Sequence, residues 1–266
     1  MKQFVLPPAY AGETTLTLSG GDFHYLHRVR RMQVGDSIPG RSRDGRAYRL
    51  TVVSVGDKSM QLRVDADGAA ENDGAFGGGG VEEPDITLFQ CLPKGKKLDQ
   101  IVRQATEAGV HRIIPVKSWR AVSRLDDPAR AQKRLARLRR IAEEAVQQSG
   151  REHVPRVDEV RSLTEVPPVD PHDGDQEGFV FHEKAIAAPK IGGYLSAGPR
   201  RVALVVGPEG GLTEQEVSSL GRRGFNPVSL GPQVLRTETA AVYAIAAIQS
   251  VYRELVSWKQ AQPSSR

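Results

Sequence analysis

The segment SLGPQVLRTETAAVYAIAAIQ, residues 229–249, joins an arginine and a Thr-Glu-Thr triplet to a long apolar run. A Gly-Pro pair predicts a turn, and the apolar run predicts a helix that is buried in a core or in a subunit interface. Thr237 or Thr239 could cap this helix. Burying the charges of Arg236 and Glu238 beside this helix would cost free energy unless the two side chains pair with each other or bind a ligand. The pattern favours a functional loop over a simple helix cap.

A glycine-rich turn supplies the second candidate for a ligand site. The stretch VALVVGPEGGL, residues 202–212, predicts a buried strand that runs into three glycines. Glycine lets a ligand approach the backbone, and open parallel sheets bind ligands at the carboxyl ends of their strands. The spacing of these glycines matches neither the G-x-G-x-x-G fingerprint of dinucleotide-binding folds nor a P-loop. The alternative is an ordinary tight turn before a helix that is opened by a capping box, Thr213 and Glu216.

Other reaction types receive little support from the residues. His24 and His27 could share a helical face, but Cys91 is the single cysteine and the remaining histidines are scattered. A third metal ligand is therefore not indicated, and we expect no metal site. The sequence also lacks the G-x-S-x-G motif or another nucleophile motif of hydrolases.

The elements that must position these loops alternate between strands and helices after residue 85. Apolar strands are predicted at ITLFQC, IIPV, FVFH, VALVV and PVSL. Between them, one helix is predicted to end at Gly109, and another to run from Asp127-Pro128 to Gly150. Continuous apolar strands between helices predict an α/β fold with a parallel sheet that is covered on both faces.

The first part of the chain has a different pattern. The segments TTLTLS, RAYRLTVVSV and SMQLRVDA alternate polar and apolar residues, which predicts a small β-barrel or meander. A helical insert, DFHYLHRVRRMQVGD, interrupts them. The acidic, glycine-rich stretch at 66–85 predicts a flexible linker. We therefore expect domains at 1–70 and 85–266, with a linker at 71–84.

Charge and composition limit the partners and the compartment. The net charge is +5, but two acidic stretches, 65–85 and 170–177, hold 11 of the 32 acidic residues; without them 37 basic residues face 21 acidic ones. This surplus favours nucleic acid as partner, with simple solubility as the alternative. The single cysteine and the lack of a long apolar segment predict a cytoplasmic protein that contacts no membrane.

At the level of whole motifs, the chain resembles a known family. VVGPEGGLTEQE followed by SLGPQVLRTETA resembles the RsmE family of bacterial ribosomal RNA methyltransferases, which belongs to the SPOUT superfamily. LPKGKKLDQIVRQATEAGVHRIIPVKSWRAV, RRIAEEAVQQSGREHVPRV and FHYLHRVRRMQVGD extend the resemblance over most of the chain. The resemblance implies a deep C-terminal trefoil knot in the parallel sheet and an N-terminal PUA-like β-barrel. Two departures are Gln233, where many members carry a basic residue, and Asp99, where glutamate is common.

The family implies methylation of N3 of one uridine in 16S rRNA, within the decoding region of the assembled 30S subunit. The methyl donor would be S-adenosyl-L-methionine, the product S-adenosyl-L-homocysteine, and the enzyme a homodimer. The alternatives are a SPOUT enzyme that methylates a ribose 2′-oxygen or another base, and a non-catalytic rRNA-binding assembly factor. Arg236 would stabilise the uracil anion, and Glu238 would orient Arg236 or accept the proton. Orientation is favoured, since a carboxylate beside a cation is a poor base.

The resemblance also implies which residues hold the cofactor and the RNA. The expected cofactor-binding residues are Phe181, His182, Val206, Gly207, Pro208, Glu209, Gly210, Gly211, Leu230, Gly231, Val234, Leu235, Thr237, Thr239 and Ala240. The expected RNA-binding residues are His27, Arg28, Arg30, Arg31, Lys94, Arg120 and Arg151. A basic stretch between Arg130 and Arg140 would assist, with an ordinary solvated helix face as the alternative.

Overall fold

The computed structural model describes residues 2–67, 83–121, 127–170, 172–181 and 191–261, with side chains of the last helix up to residue 255. It divides into two compact units: Met1–Gly80 with Val146–Val154, and Val81–Ala145 with Pro155–Arg266. Most of the expected linker lies outside the described residues. The expected domain boundaries therefore stay a prediction.

The first unit is built on a five-stranded sheet. Its elements are β1 Phe4–Val5, β2 Thr15–Ser19, α1 Gly20–Phe23, a π-helical turn His24–Val29, β3 Ser37–Arg41, β4 Ala47–Val55 and β5 Ser59–Ala66. The strand order is β1-β3-β4-β5-β2, with β1 parallel to β3 and the other pairs antiparallel. Apolar residues that alternate along β4 and β5 form one core with the helical insert. The strands β1 and β3 were not expected, because β1 is very short and β3 contains Pro39 and Gly40.

The helical insert is shorter than its sequence suggested. The π-helical turn ends at Val29, with Arg30 as its C-terminal cap, and Arg31 has a φ of +57°. A non-glycine residue at positive φ cannot continue a right-handed helix. The expectation that all the basic residues of this segment share one helix is therefore wrong for Arg31.

The second unit is an α/β layer structure. Its elements are β6 Asp85–Cys91, α2 Lys97–Glu107, β7 Arg112–Lys117, α3 Pro128–Ser149, β8 Arg156–Val157, β9 Arg161–Ser162, a 3₁₀ turn Leu163–Glu165, β10 Gln176–Phe181, α4 Ile191–Leu195, β11 Arg201–Val206, α5 Glu214–Gly221, β12 Asn226–Val228 and α6 Thr237–Ala261. The strand order is β12-β10-β11-β6-β7-β8, and β9 also pairs with β7. Every pair in this sheet is parallel, which confirms the expected sheet type.

Both faces of this sheet are covered, as the continuous apolar strands predicted. One core joins the sheet to α2, α3 and α6, and includes Leu88, Ile101 and Ile245. A second core on the other face includes Phe89 and Val205 and extends to α5. Neighbouring residues of one strand enter different cores because successive side chains of a strand point to opposite faces.

Local sequence chemistry sets the ends of the helices. Gly109 follows α2 with a φ of +107°, and Gly150 follows α3 with a φ of +82°. Asp127 precedes α3, and its Oδ1 accepts the Ala129 amide hydrogen at 3.0 Å, as the side chain of an N-cap residue does. The expected capping box of α5 is formed by Thr213 and Glu216. These features confirm the predicted helix ends.

Candidate active site

A cavity of about 390 Å³ lies at the carboxyl ends of β10 and β11, within the second unit. Strands β11 and β6 are neighbours in the sheet. After β6 the chain continues to β7 on one side, and after β11 it continues to β12 on the other side. The cavity therefore opens at a topological switch point, where open α/β sheets bind ligands. It is lined by Lys97, Phe181, Val206, Gly207, Pro208, Glu209, Gly211, Leu212, Ser229, Leu230, Gly231, Gln233, Val234, Leu235, Arg236, Thr237 and Ala240.

The wall at residues 229–236 offers free backbone groups and apolar surface. Ser229 Oγ donates to the Gly231 carbonyl at 2.9 Å, which shapes the turn. Within the described part of the chain, the amides of Val234 and Leu235 donate no backbone hydrogen bond. The Val234 side chain is 76% exposed although it borders the cavity. A ligand in the cavity could cover this side chain and bond these amides.

Thr237 ties the start of α6 to two strands. Its hydroxyl donates to the Gly207 carbonyl at 2.7 Å and accepts the Gln90 side-chain amide at 3.0 Å. Thr237 is the first residue of α6 and is buried, whereas Thr239 is exposed. The role of Thr237 is therefore to hold the two cavity walls together, and the expectation that it caps the helix is wrong.

We expect Thr237→Val to lower the free energy of unfolding by about 1–2 kcal/mol. The Gly207 carbonyl loses the hydroxyl that donates to it, and the Gln90 side-chain amide loses one of its two acceptors. Urea denaturation would measure this change. The matched variant Thr239→Val alters an exposed hydroxyl and should change stability by less than about 0.5 kcal/mol. Equal effects of the two variants would contradict the bridging role of Thr237.

An ion-pair cluster stands beside the cavity. Lys97 Nζ lies 3.1 Å from Glu209 Oε1 and 3.3 Å from Glu238 Oε2. The Glu238 side chain is 12% exposed. Both carboxylate oxygens of Glu209 also accept the Lys94 amide hydrogen, at 3.1 and 3.2 Å. The cluster thus connects the start of α2, the glycine turn and the start of α6.

The partner of Glu238 differs from the one expected. Lys97 pairs with Glu238. The Arg236 side chain is exposed and makes no hydrogen bond or ion pair with the described residues. The Arg236 backbone carbonyl accepts the Ala240 amide hydrogen of the first turn of α6 at 2.8 Å. The Arg236 guanidinium is left at the rim of the cavity, available to a ligand.

Hydrogen bonding keeps Glu209 and Lys97 ionised. Burial opposes ionisation of Glu209, but hydrogen bonds from backbone amides and from Lys97 outweigh it and hold the pKa of Glu209 below its usual 4.5. The hydrogen bond to Glu209 raises the pKa of Lys97 above 10.5, against a smaller effect of burial, and Glu238 adds to the rise. A carboxylate with a lowered pKa and an ammonium with a raised pKa are both charged near neutral pH.

Two expected cofactor-binding residues, Gly210 and Thr239, do not line the cavity, and a third, His182, lies outside the described residues. The Gly210 carbonyl accepts a hydrogen bond from the Arg120 guanidinium at 2.7 Å. Thr239 is exposed on α6. The other expected cofactor residues and Arg236 line the cavity, but their role as ligands stays a prediction.

Sequence reasoning missed several residues of the site. Lys97, Leu212 and Ser229 line the cavity, and Gln90 lies behind it. The lysine-rich start of α2, KGKK, was a usable signal for Lys97, since a cation next to an apolar helix needs a partner. No comparable signal distinguished Gln90, because a glutamine inside a strand predicts no partner by itself.

The expected RNA-binding residues are found in both units. In the first, Arg28 and Arg31 are exposed, while His27 stacks on Phe23 at a ring distance of 5.3 Å. The first unit also holds Arg30 and Arg151. The backbone carbonyl of Arg151 accepts a hydrogen bond from the Gln3 side-chain amide at 2.5 Å. In the second unit, Lys94 and Arg120 have exposed side chains and follow strand ends at the cavity edge of the sheet.

Neither metal binding nor a membrane-spanning helix has support among the described residues. No group of three or more histidine, cysteine or carboxylate side chains there could hold a metal ion. In the same part of the chain, none of the helices combines the length and apolar character needed to cross a membrane.

Comparison with known proteins identifies the family. Residues 81–249 match a family model described as an RNA methyltransferase domain. The chain is 35% identical over 240 residues to ribosomal RNA small subunit methyltransferase E of Bacillus subtilis, covering 88% of this chain and 89% of the relative. Identity to the protein of that name from Synechocystis is 31% over 251 residues, covering 94% and 77%.

A solved structure agrees with this result. Ribosomal RNA small subunit methyltransferase E from Neisseria gonorrhoeae, bound to S-adenosyl methionine, is similar with a TM-score of 0.79 and 30% identity. The similarity covers 94% of this chain and 98% of that one. Sequence, fold and the cavity at the switch point lead to one conclusion: this chain belongs to the ribosomal RNA small subunit methyltransferase E family.

Proposed function

We propose that this protein transfers a methyl group from S-adenosyl-L-methionine to N3 of a uridine in 16S rRNA, and releases S-adenosyl-L-homocysteine. The observation that carries the proposal is the cavity at the carboxyl ends of β10 and β11, with Arg236 at its rim and family membership established over most of the chain. A relative of similar fold has S-adenosyl methionine bound, which supports the same methyl donor here.

The cavity residues fit this cofactor. A volume of about 390 Å³ falls in the range of small-molecule sites. The amides of Val234 and Leu235 would bond the polar edge of adenine, and Leu230 with the exposed Val234 would cover its ring. When bound, S-adenosyl-L-methionine supplies a methyl group on a sulfonium that carries its own leaving group. The protein then contributes orientation, which is worth about 7 kcal/mol or more when two reacting groups are well placed.

Arg236 is proposed to act on the uracil. N3 passes its proton to solvent water before or during bonding to the methyl carbon, and the resulting negative charge spreads to O2 and O4 of the base. A guanidinium stays protonated and offers several donors in one plane, so it suits this anion. The Arg236 side chain makes no hydrogen bond or ion pair with the described residues, which leaves these donors for the substrate.

Glu238 is proposed to position Lys97 in the cavity. The carboxylate lies 3.3 Å from the ammonium, and Glu209 holds the same ammonium from the other side. Two carboxylates on different elements restrict a flexible lysine to one place. The ammonium in turn offsets the repulsion between the two carboxylates and holds the glycine turn and the start of α6 together.

Finer parts of the proposal come from the family resemblance. We include a C-terminal trefoil knot, a PUA-like N-terminal barrel, a homodimer, the assembled 30S subunit as substrate and a cytoplasmic location. The bonds from Thr237 to Gly207 and Gln90 support the knot, because they hold the start of the last helix against two central strands.

The test is radiolabel transfer from S-adenosyl-L-methionine to undermethylated 30S subunits, followed by nucleoside analysis. We expect label in 3-methyluridine. Label in a 2′-O-methylated nucleoside would keep the fold and overturn the proposed target atom. Absence of transfer to subunits and to free 16S rRNA, with cofactor binding intact, would overturn the enzymatic proposal.

A further inference from the structure

Trp119 is the most exposed large apolar side chain in the described part of the protein. Its side chain is 86% exposed, and it stands two residues after the end of β7. In the sheet, β7 lies beside β6, and β6 lies beside β11, whose end forms a cavity wall. Two strand spacings amount to roughly 10 Å. The indole is therefore near the cavity and on the same edge of the sheet.

The backbone around Trp119 is held firmly in place. Its amide donates to Glu216 Oε1 at 2.8 Å, and the other oxygen of Glu216 accepts the Thr213 amide at 2.8 Å. The next residue, Arg120, donates to the Gly210 carbonyl at 2.7 Å. The segment is thus fixed to α5 and to the glycine turn, while the indole itself extends into solvent. A side chain on an already ordered backbone loses less conformational entropy on binding a partner than one on a mobile loop.

The surface between Trp119 and the cavity carries positive charge. Lys94 and Lys96 are exposed in the loop after β6, which lies between β7 and β11 in the sheet. Lys117 and Arg120 are exposed on either side of Trp119. A single exposed apolar residue is ordinary on a protein surface. An anchored indole among four cations at the mouth of a cavity has the composition of a single-stranded RNA site, where bases stack on aromatic rings and cations bind phosphates.

We propose that Trp119 stacks on a base of the RNA next to the uridine that is methylated, while the surrounding lysines and Arg120 bind the backbone. Trp119 would thus be a positioning residue that places the target base over the cavity. This inference rests on the proposed function, because it assumes RNA at this edge of the sheet.

Tryptophan fluorescence tests the stacking directly. The chain has two tryptophans, Trp119 and Trp258, so Trp258→Phe leaves one reporter. We expect its emission to be quenched as single-stranded oligouridylate is added. Trp119→Ala should weaken affinity for the oligonucleotide about tenfold, and Trp119→Phe should retain most of it. The thermal shift caused by S-adenosyl-L-homocysteine should be equal in all variants.

The outcomes separate this inference from the proposed function. Unchanged fluorescence together with unchanged RNA affinity in Trp119→Ala would overturn the stacking role, even if wild-type protein forms 3-methyluridine. A changed oligomeric state of Trp119→Ala in light scattering, without quenching by RNA, would assign the indole to a contact between protein copies instead. Quenching does not require methyl transfer, so a failed transfer assay would overturn the proposed function and leave the stacking result valid.

Discussion

Arg236→Ala is expected to lower the rate of methyl transfer by about 100- to 1000-fold, with cofactor affinity nearly unchanged. Loss of one preorganised donor to a developing oxyanion has this effect in other enzymes. The Arg236 side chain is exposed and has no partner among the described residues, so its removal should leave the fold intact. Arg236→Lys should recover only part of the rate, because an ammonium lacks the planar set of donors.

Single-turnover transfer to undermethylated 30S subunits would measure the rate, and thermal shift with S-adenosyl-L-homocysteine would measure cofactor binding. Arg222→Ala is the matched control, since Arg222 is an exposed arginine just after α5. The control should keep the wild-type rate. A less than threefold loss in Arg236→Ala would remove Arg236 from the mechanism, and a lost thermal shift would assign it to cofactor binding.

Lys97→Met is expected to lower methyl transfer by about 100-fold, because an ångström-scale displacement in an active site can cost that much. Without the ammonium, Glu209 and the largely buried Glu238 face each other with no cation between them. Their repulsion should separate the glycine turn from the start of α6. Cofactor affinity should fall as well, because both segments line the cavity.

A second substitution distinguishes repulsion from loss of a direct contact. Lys97→Met with Glu238→Gln should be more active than Lys97→Met alone, because the second change removes the stranded charge. Lys58→Met is the matched control, since Lys58 is an exposed lysine in the turn between β4 and β5. If the double variant is no better than Lys97→Met, Lys97 acts on the ligand itself and the proposed role of Glu238 is wrong.

The pH dependence of the cluster follows from its pKa shifts. The lowered pKa of Glu209 stabilises the fold above 4.5, and this contribution is lost as the pH falls through the lower folded value. The raised pKa of Lys97 stabilises the fold below 10.5, and this contribution is lost as the pH rises through the higher folded value. The cluster should therefore stay intact across the neutral range.

Much of the fold could be predicted from the sequence because local chemistry specifies it. Continuous apolar strands require a core on each face, and the structure has both cores. Gly109, Gly150 and the capping box at Thr213 mark helix ends through backbone conformation and side-chain bonds that act within a few residues. The two-residue strands β8 and β9 were missed, because so short a segment carries no periodic pattern.

For the active site, the sequence by itself determined the two motifs, and tertiary structure decided how their side chains pair. The glycine turn and the loop before α6 were predicted as cavity walls, and most of their named residues do line one cavity. The partner of Glu238 was not predictable, since Lys97 comes from a helix distant in sequence, whereas Arg236, only two residues away, makes no ion pair with Glu238. Thr237 likewise bonds two strands instead of its own helix. Spacing along the chain determines backbone conformation, but the partner of a charged or polar side chain depends on which elements packing brings within about 3 Å.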